Sequence, residues 1–423
     1  MRGFVLLSLA ILYATVSLAV HAQTGFKGEL DLESSAARNA GNSLDAALGE
    51  GRRWDQHGWL RLMWSAASAS GWGLNIAYLG QLRQGGGVVL ARRQRQLNPA
   101  WFINPQRSAL LHLRDSLADR GQYLVSQRLD RLALSYSSAH LVLRIGRQAL
   151  TWGGGLVFHP LDLFNPFSPN ATYTAYKPGT DMLYGQWLFD SGMDVQAVVV
   201  PRRNPNTGRL ASEQSSAGLR WHGFMGQQQQ LGIAVLLAQD YRAKVLGIAV
   251  NGALSGATWT AEIVPTRLLG GGVRTAVLLN TQYAWSWGGR NVNGYIEYFH
   301  NGFGVRAAGS TLASLPQSLV KRLVRGEVFT VSKNYLATGI DIQWTPLLTL
   351  KPTVISNLDD GSALLIGKVV YSLTQNTSVT AGFQWGVGGR LAEYGGGLET
   401  ALNSGIFMAP ADRVYARFTW YFQ

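Results

Sequence analysis

Along much of this chain apolar and polar residues alternate one for one. Near the C-terminal end Val414, Ala416, Phe418, Trp420 and Phe422 alternate with Arg413, Tyr415, Arg417, Thr419 and Tyr421. Side chains of a strand point to opposite faces with period two, so one face of this segment suits lipid and the other water. A half-buried strand of a soluble sheet reads the same way, and one such run decides nothing. Repetition does. From Val273 to Trp287, Thr275, Val277, Leu279, Thr281, Tyr283 and Trp285 alternate with Arg274, Asn280, Gln282 and Ser286, and Asn334 to Trp344 sets Leu336, Thr338, Ile340 and Ile342 against Asp341 and Gln343. Both runs end in Trp, as strands crossing into an interfacial aromatic belt do.

The pattern predicts strands near 25–33, 57–68, 71–81, 122–136, 139–150, 182–190, 193–202, 213–224, 229–239, 242–251, 256–266, 273–287, 290–300, 333–345, 347–358, 362–373, 375–387 and 412–422. The even-numbered gaps are all short, whereas the long ones (34–56, 82–121, 151–181, 301–332, 388–411) all fall at odd positions. Misassigned strands would scatter long gaps over both sides. The expected fold is therefore all-β, a transmembrane antiparallel up-and-down β-barrel of about 18 strands with long extracellular loops and short periplasmic turns. Sixteen or twenty strands also fit. The first strand, the 82–121 region and the very tight 240–241 gap fit least well. Within 301–332, Ser314 to Arg325 has a Pro near its start and helical spacing of Leu319, Val320 and Leu323, which predicts a short loop helix, against an irregular loop as the alternative.

The ends and the composition agree with a barrel. Met1-Arg2-Gly3, an apolar run from Phe4 to Val20 and the ending His21-Ala22-Gln23 read as a signal peptide over 1–22, with the barrel over 23–423. The mature part has no apolar run of ~20 residues, which a spanning helix needs. The full chain contains 50 Gly and no Cys, so disulfides, thiolate metal sites and cysteine nucleophiles are excluded together. The formal charge of +13 favours anionic partners. Nucleic acid is not expected, because there is no basic helix and no zinc or helix-turn-helix spacing.

Alternation assigns side chains to the lumen. The basic ones are Arg61, Arg144, Arg202, Arg220, Arg274, Lys351, Lys368, Arg413 and Arg417, and the acidic ones Asp194, Glu262, Glu297 and Asp341. Strict alternation turns Arg147 toward lipid, where an Arg near the midplane costs ~2–4 kcal/mol. A bulge at Gly146 turns it inward instead, which is the reading adopted here. Such a wall attracts anions, unless the charges pair across the barrel and only stabilise its interior; both can hold at once.

After Trp152 three glycines and Pro160, Pro166 and Pro169 end the strand, leaving a loop over 151–181 that is rich in apolar residues. Either it folds into the barrel as a constriction or plug, with Trp152, Phe158, Asp162, Asn165, Pro166, Lys177 and Asp181 as its contacts, or it packs across the mouth as a rigid cap. The triplet Gly146-Arg147-Gln148, Trp152-Gly153 and Asn165-Pro166 leading to Tyr176-Lys177-Pro178-Gly179 resemble a proteobacterial family of porin-like outer-membrane β-barrels, itself similar to alginate-export-type barrels. Looser likeness runs from Trp287-Gly288-Gly289-Arg290-Asn291 to Phe303 and at the C-terminus. The resemblance implies a monomeric channel with an Arg-containing lumen. The chain departs from the usual outer-membrane ending, a final aromatic, since Gln423 follows Phe422.

The expected function is a porin-like channel in the bacterial outer membrane, passing anionic or amphipathic solutes through a basic lumen. The alternative is an export or envelope-assembly conduit for an anionic polymer or lipid, working with a periplasmic partner. Either has outer-membrane lipid around it and meets the barrel-assembly machinery through its last strand. No cofactor, metal or enzymatic activity is expected. No histidine stands in an H-E-x-x-H context and no serine in G-x-S-x-G. Ser216 and His222 share a strand face, but six residues hold them ~20 Å apart.

Overall fold

The computed structural model describes residues 22–97, 108–164, 166–169, 171, 175–226, 230–306 and 311–423. The leader segment predicted over 1–22 lies, except for Ala22, outside the described residues.

Eighteen antiparallel strands close into one barrel. In chain order they are β1 (Ala22–Arg38), β2 (Arg52–Ser68), β3 (Trp72–Gly85), β4 (Tyr123–Ser137), β5 (Leu141–Gln148), β6 (Thr180–Leu188), β7 (Asp194–Val200), β8 (Ser216–Met225) and β9 (Leu231–Asp240). They continue as β10 (Ala243–Leu254), β11 (Ala257–Arg267), β12 (Val273–Trp287), β13 (Arg290–His300), β14 (Asn334–Thr345), β15 in two pieces (Leu348–Leu350 and Thr353–Asn357), β16 (Ala363–Ser372), β17 (Thr377–Val387) and β18 (Asp412–Phe422). Each pairs with its neighbour in sequence. The ring closes where β1 pairs β18, from Gly28 opposite Phe422 to Arg38 opposite Asp412. Closure leaves no sheet edge, the condition for strands to cross a bilayer.

The outer surface is apolar and exposed, with Leu134, Ile145, Leu183, Leu219 and Leu279 between 45% and 57% accessible. Charged side chains are buried on the inside, Glu29, Asp31, Arg61, Glu262 and Glu297 among them. That is the reverse of a soluble protein, and it is stable only with lipid outside. Trp72, Trp187, Trp285, Trp287, Trp344 and Trp420 face outward near the ends joined by short turns, forming the aromatic belt of that side.

Three places differ from the sequence pattern, each for a physical reason. β1 runs on to Arg38, because Ser35 and Ala37 continue the inward set after the larger residues stop. The region 82–121 holds a helix (Gly86–Leu97) and a short strand (Arg114–Arg120) that extends the extracellular end of β4 as a hairpin. β15 is interrupted at Lys351-Pro352, where proline lacks the N–H a ladder needs. The tight turn at 241–242 is a two-residue hairpin with Tyr241 at φ 45 and Arg242 at φ 69, the positive pair that a type I′ turn requires. In the loop after β13 a helix spans Gln317–Arg325 and ends on Gly326.

Two irregularities steer charges inward. In β4 the register against β3 slips so that Ala77 faces Arg131 and Tyr78 faces Leu129, leaving Asp130 as an extra residue. In β5 the pairing with both neighbours runs on without the bulge expected at Gly146; Gly146 instead stands at φ 118, and the next residue, Arg147, is buried. A side chain at Gly146 would put its Cβ 2.1 Å from the Leu132 carbonyl oxygen. Gly146→Ala is therefore expected to lower the unfolding free energy by about 1–3 kcal/mol, read as a lower urea midpoint in lipid or detergent; an unchanged midpoint would show that the backbone there relaxes without cost.

Candidate functional site: the in-folded loop and the lumen wall

The segment between β5 and β6, residues 149–179, turns into the barrel. Its four buried apolar anchors, Trp152, Phe158, Leu161 and Phe164, pack on inward-facing residues of β7 to β16, including Val200, Leu236, Val264, Leu278, Phe299 and Tyr335. Phe158 stacks on Phe299 with ring centroids 4.6 Å apart. The wall is shaped for this. A Cβ added at Gly247 of β10 would lie 2.2 Å from Leu161, and one at Gly218 of β8 would lie 3.2 Å from the Trp152 ring, so both glycines are hollows filled by loop side chains.

Polar hooks hold the loop backbone. Glu297 of β13 accepts from the amides of Leu156 (2.6 Å), Val157 (2.9 Å) and Phe158 (2.7 Å), and from Asn280 Nδ2 (3.0 Å). Glu262 of β11 accepts from the Gly154 amide at 2.6 Å. Trp152 Nε1 donates to Gln196 at 2.6 Å, and Lys177 Nζ binds Asp162 at 2.5 Å and Thr151 Oγ1 at 3.3 Å. Burial, and then the nearby Lys177, push the His159 imidazole down to about 4, so it is uncharged at neutral pH. Pro166 and Phe329, of the loop after β13, line one cavity. Asn165 lies outside the described residues. Asp181 is a residue of β6 and not of the loop, which ends at Gly179: its carboxylate receives Arg147 Nε at 2.7 Å and Nη2 at 2.9 Å, a two-pronged pair across adjacent strands.

The returning limb of the loop meets a charge knot. Asp130, placed by the β4 bulge, is bound by Arg61 at 3.0 Å, Arg128 at 3.1 Å and Arg131 at 2.9 Å. Arg61 lies 4.2 Å under the Tyr176 ring, and Arg131 donates to the Lys177 carbonyl.

Six of the ten basic positions expected in the lumen make ion pairs. Beyond Arg61 and Arg147, Arg413 binds Glu33 at 2.5 Å, Arg417 binds the same carboxylate through Nε at 3.1 Å, Lys351 binds Asp341, and Arg202 reaches Asp240 at 3.8 Å. Arg202 stands two residues past the end of β7, at the mouth, against the Tyr241 ring. Arg144 lies over Tyr184, Arg220 is half-buried opposite Gln196, Lys368 is half-buried with its backbone paired to Lys351, and Arg274 is exposed at the extracellular end of β12. None of these four makes an ion pair among the described residues. Asp194 accepts from Gln196 at 2.7 Å and contacts His222 at 3.1 Å.

The alternation count missed carboxylates. Glu29, Asp31 and Glu33 line the inner face of β1, and Asp55, Asp130 and Asp240 add three more. The first three were legible as Glu-Leu-Asp-Leu-Glu; Asp130 was not, because a bulge breaks the parity on which the count relies.

No protein-family model matches the chain, and no curated protein matches it in sequence. Among solved structures it is similar to a BenF-like porin from Pseudomonas fluorescens Pf-5, with a TM-score of 0.53 and 9% identity over 95% of this chain and 98% of that one. It is similar to OccAB2 of Acinetobacter baumannii (TM-score 0.50, 9% identity, 94% and 98% covered) and to Wzi of Escherichia coli, an outer-membrane protein involved in group 1 capsule assembly and a carbohydrate-binding β-barrel (TM-score 0.50, 10% identity, 98% and 87% covered). At these identities the likeness is one of fold. The class it defines is the closed antiparallel 18-stranded β-barrel, the architecture of these outer-membrane neighbours.

Asp130→Ala is expected to destabilise the barrel by about 3–5 kcal/mol, since it leaves three guanidiniums around one vacated site. Replacing Arg61 by Met in the same chain should recover part of that loss in urea titrations, and a single variant as stable as the parent would show the knot to be solvated.

Proposed function

We propose that this chain is a porin-like channel of the bacterial outer membrane whose passage is constricted by the in-folded loop 149–179. The observation that carries this reading is the lodging of that loop within the lumen of a closed barrel, on two wall carboxylates and two glycine hollows. Anionic or amphipathic solutes are the proposed cargo. Support comes from Arg144, Arg220, Arg274 and Lys368, lumen or mouth cations that make no ion pair among the described residues, whereas Glu262 and Glu297 accept hydrogen bonds from loop amides. Pairing at the other six basic positions tempers the field, so the proposed selectivity is a preference and not an exclusion. The family resemblance to proteobacterial porin-like and alginate-export-type barrels belongs to the same proposal, as does a cleaved leader over 1–22.

A second reading, envelope assembly with a periplasmic partner and an anionic polymer or lipid, is favoured by the same loop if it never leaves the lumen, and by likeness to the capsule-assembly barrel Wzi. The two separate in planar bilayers. Glu297→Ala combined with Gly247→Leu removes the main hook and fills the Leu161 hollow. For a channel, conductance is expected to rise severalfold, with the reversal potential in a salt gradient still of anionic sign. Conductance unchanged from a closed parent would support the assembly role, and a cationic reversal potential would remove the anion preference.

A further inference from the structure

The lipid-facing surface carries a second candidate site, independent of the lumen. Lys244 of β10 and Arg267 of β11 both face outward, in step with Leu246 and Ile248 on one strand and Ile263 on the other, and both are exposed. They are direct cross-strand partners. Side chains in such a position have Cβ atoms ~5 Å apart, and two like charges there repel. Their other cross-strand neighbours, Gln239 and Val273, carry no charge to offset this, and among the described residues neither cation makes an ion pair.

Their height in the wall is informative. From Leu254, at the periplasmic end of β10, to Lys244 is ten residues. At ~3.3 Å per residue and a tilt of ~40° this is a rise of ~25 Å, the height of the apolar band of a bacterial barrel. The pair therefore stands at the outer hydrocarbon boundary, level with lipid headgroups. Bordering it on the outer face is a groove with Ala197 and Ala217 as its small residues and Val199, Leu219, Leu237 and Leu246 as larger ones, and both cations belong to its lining.

We propose that this pair and groove bind one phosphorylated glycolipid of the outer leaflet, lipopolysaccharide. A lipid A phosphate sits between the Lys244 ammonium and the Arg267 guanidinium, whose planar fork suits phosphate oxygens, and one acyl chain lies along the groove. The anion relieves the repulsion within the pair, and the small alanines admit the chain.

The test uses the full chain refolded in detergent, titrated with bisphosphorylated lipid A and followed by native mass spectrometry. Replacing both cations (Lys244→Gln with Arg267→Gln) is expected to weaken the one-lipid adduct about thirtyfold, the effect of two cations at a membrane surface. A control that removes the same charge elsewhere on the extracellular side (Arg209→Gln with Lys321→Gln) should leave it unchanged. Ala217→Trp, which fills the groove and keeps both cations, should weaken it as well, and it decides the matter if the first variant does not fold. Equal affinity in parent and cation variant, equal weakening in the control, or displacement of lipid A by equimolar inorganic phosphate would each overturn the proposal.

Discussion

A closed sheet in lipid has no freedom over where its polar side chains go. Every backbone amide is used in the ladder, the outer face must be apolar, and alternation sends every second residue of every strand into the lumen. The interior of this barrel is therefore where its charges have to be reconciled. Glu33 on the first strand holds both Arg413 and Arg417 of the last, so one carboxylate ties the two strands that close the ring. On the outer side of the same seam the Phe422 ring lies across Gly28, where any side chain would collide with it. Seam and charge pairing thus depend on one register, and a slip of one residue would turn Glu33 toward lipid.

The loop is a consequence of the same constraint. A lumen filled only with charges would be hydrated, yet β7 to β16 turn a group of apolar residues inward. An apolar inner wall next to water is costly at ~25 cal/mol per Å², and the apolar loop is what covers it. The loop brings its own unsatisfied amides, which Glu297 and Glu262 accept. These carboxylates are legible in the sequence as inward residues; their partners are not, because amides 108 to 141 residues away leave no trace in local periodicity.

The division between what the sequence tells and what it withholds follows from this. Strand existence, the sidedness of long and short connections and the class of fold come from period-two patterning, which is local. β1 was hard to delimit because its inward residues are small near its end, so the contrast between faces fades at Ser34-Ser35-Ala36-Ala37. The balance of charge was harder. It depends on Asp130, whose parity is reset by a bulge, and on Glu29, Asp31 and Glu33, which are legible as inward residues of the expected first strand but were left out of the lumen count. The hollows at Gly247 and Gly218 are invisible from sequence, where they look like two more of 50 glycines. Only the packed partner shows that an absent side chain is the feature.

Barrel and loop are also separable in energy. The ladder, the Glu33 seam and the outer apolar face involve none of the loop's apolar anchors, so the wall closes whether or not Trp152, Phe158, Leu161 and Phe164 are seated. Seating the loop rests on those four side chains and on amide hydrogen bonds to Glu297 and Glu262, charge-assisted bonds each worth ~1.5–3 kcal/mol, so the loss of one hook weakens the seating and leaves the ladder of the wall intact. The Asp130 knot works differently: it binds the returning limb through Arg131 and Arg61 while also filling a bulge in the wall, so disturbing it strains the barrel itself. On the channel reading, Glu297 and Gly247 are then the positions that control the passage, and Asp130 is a position that controls the fold.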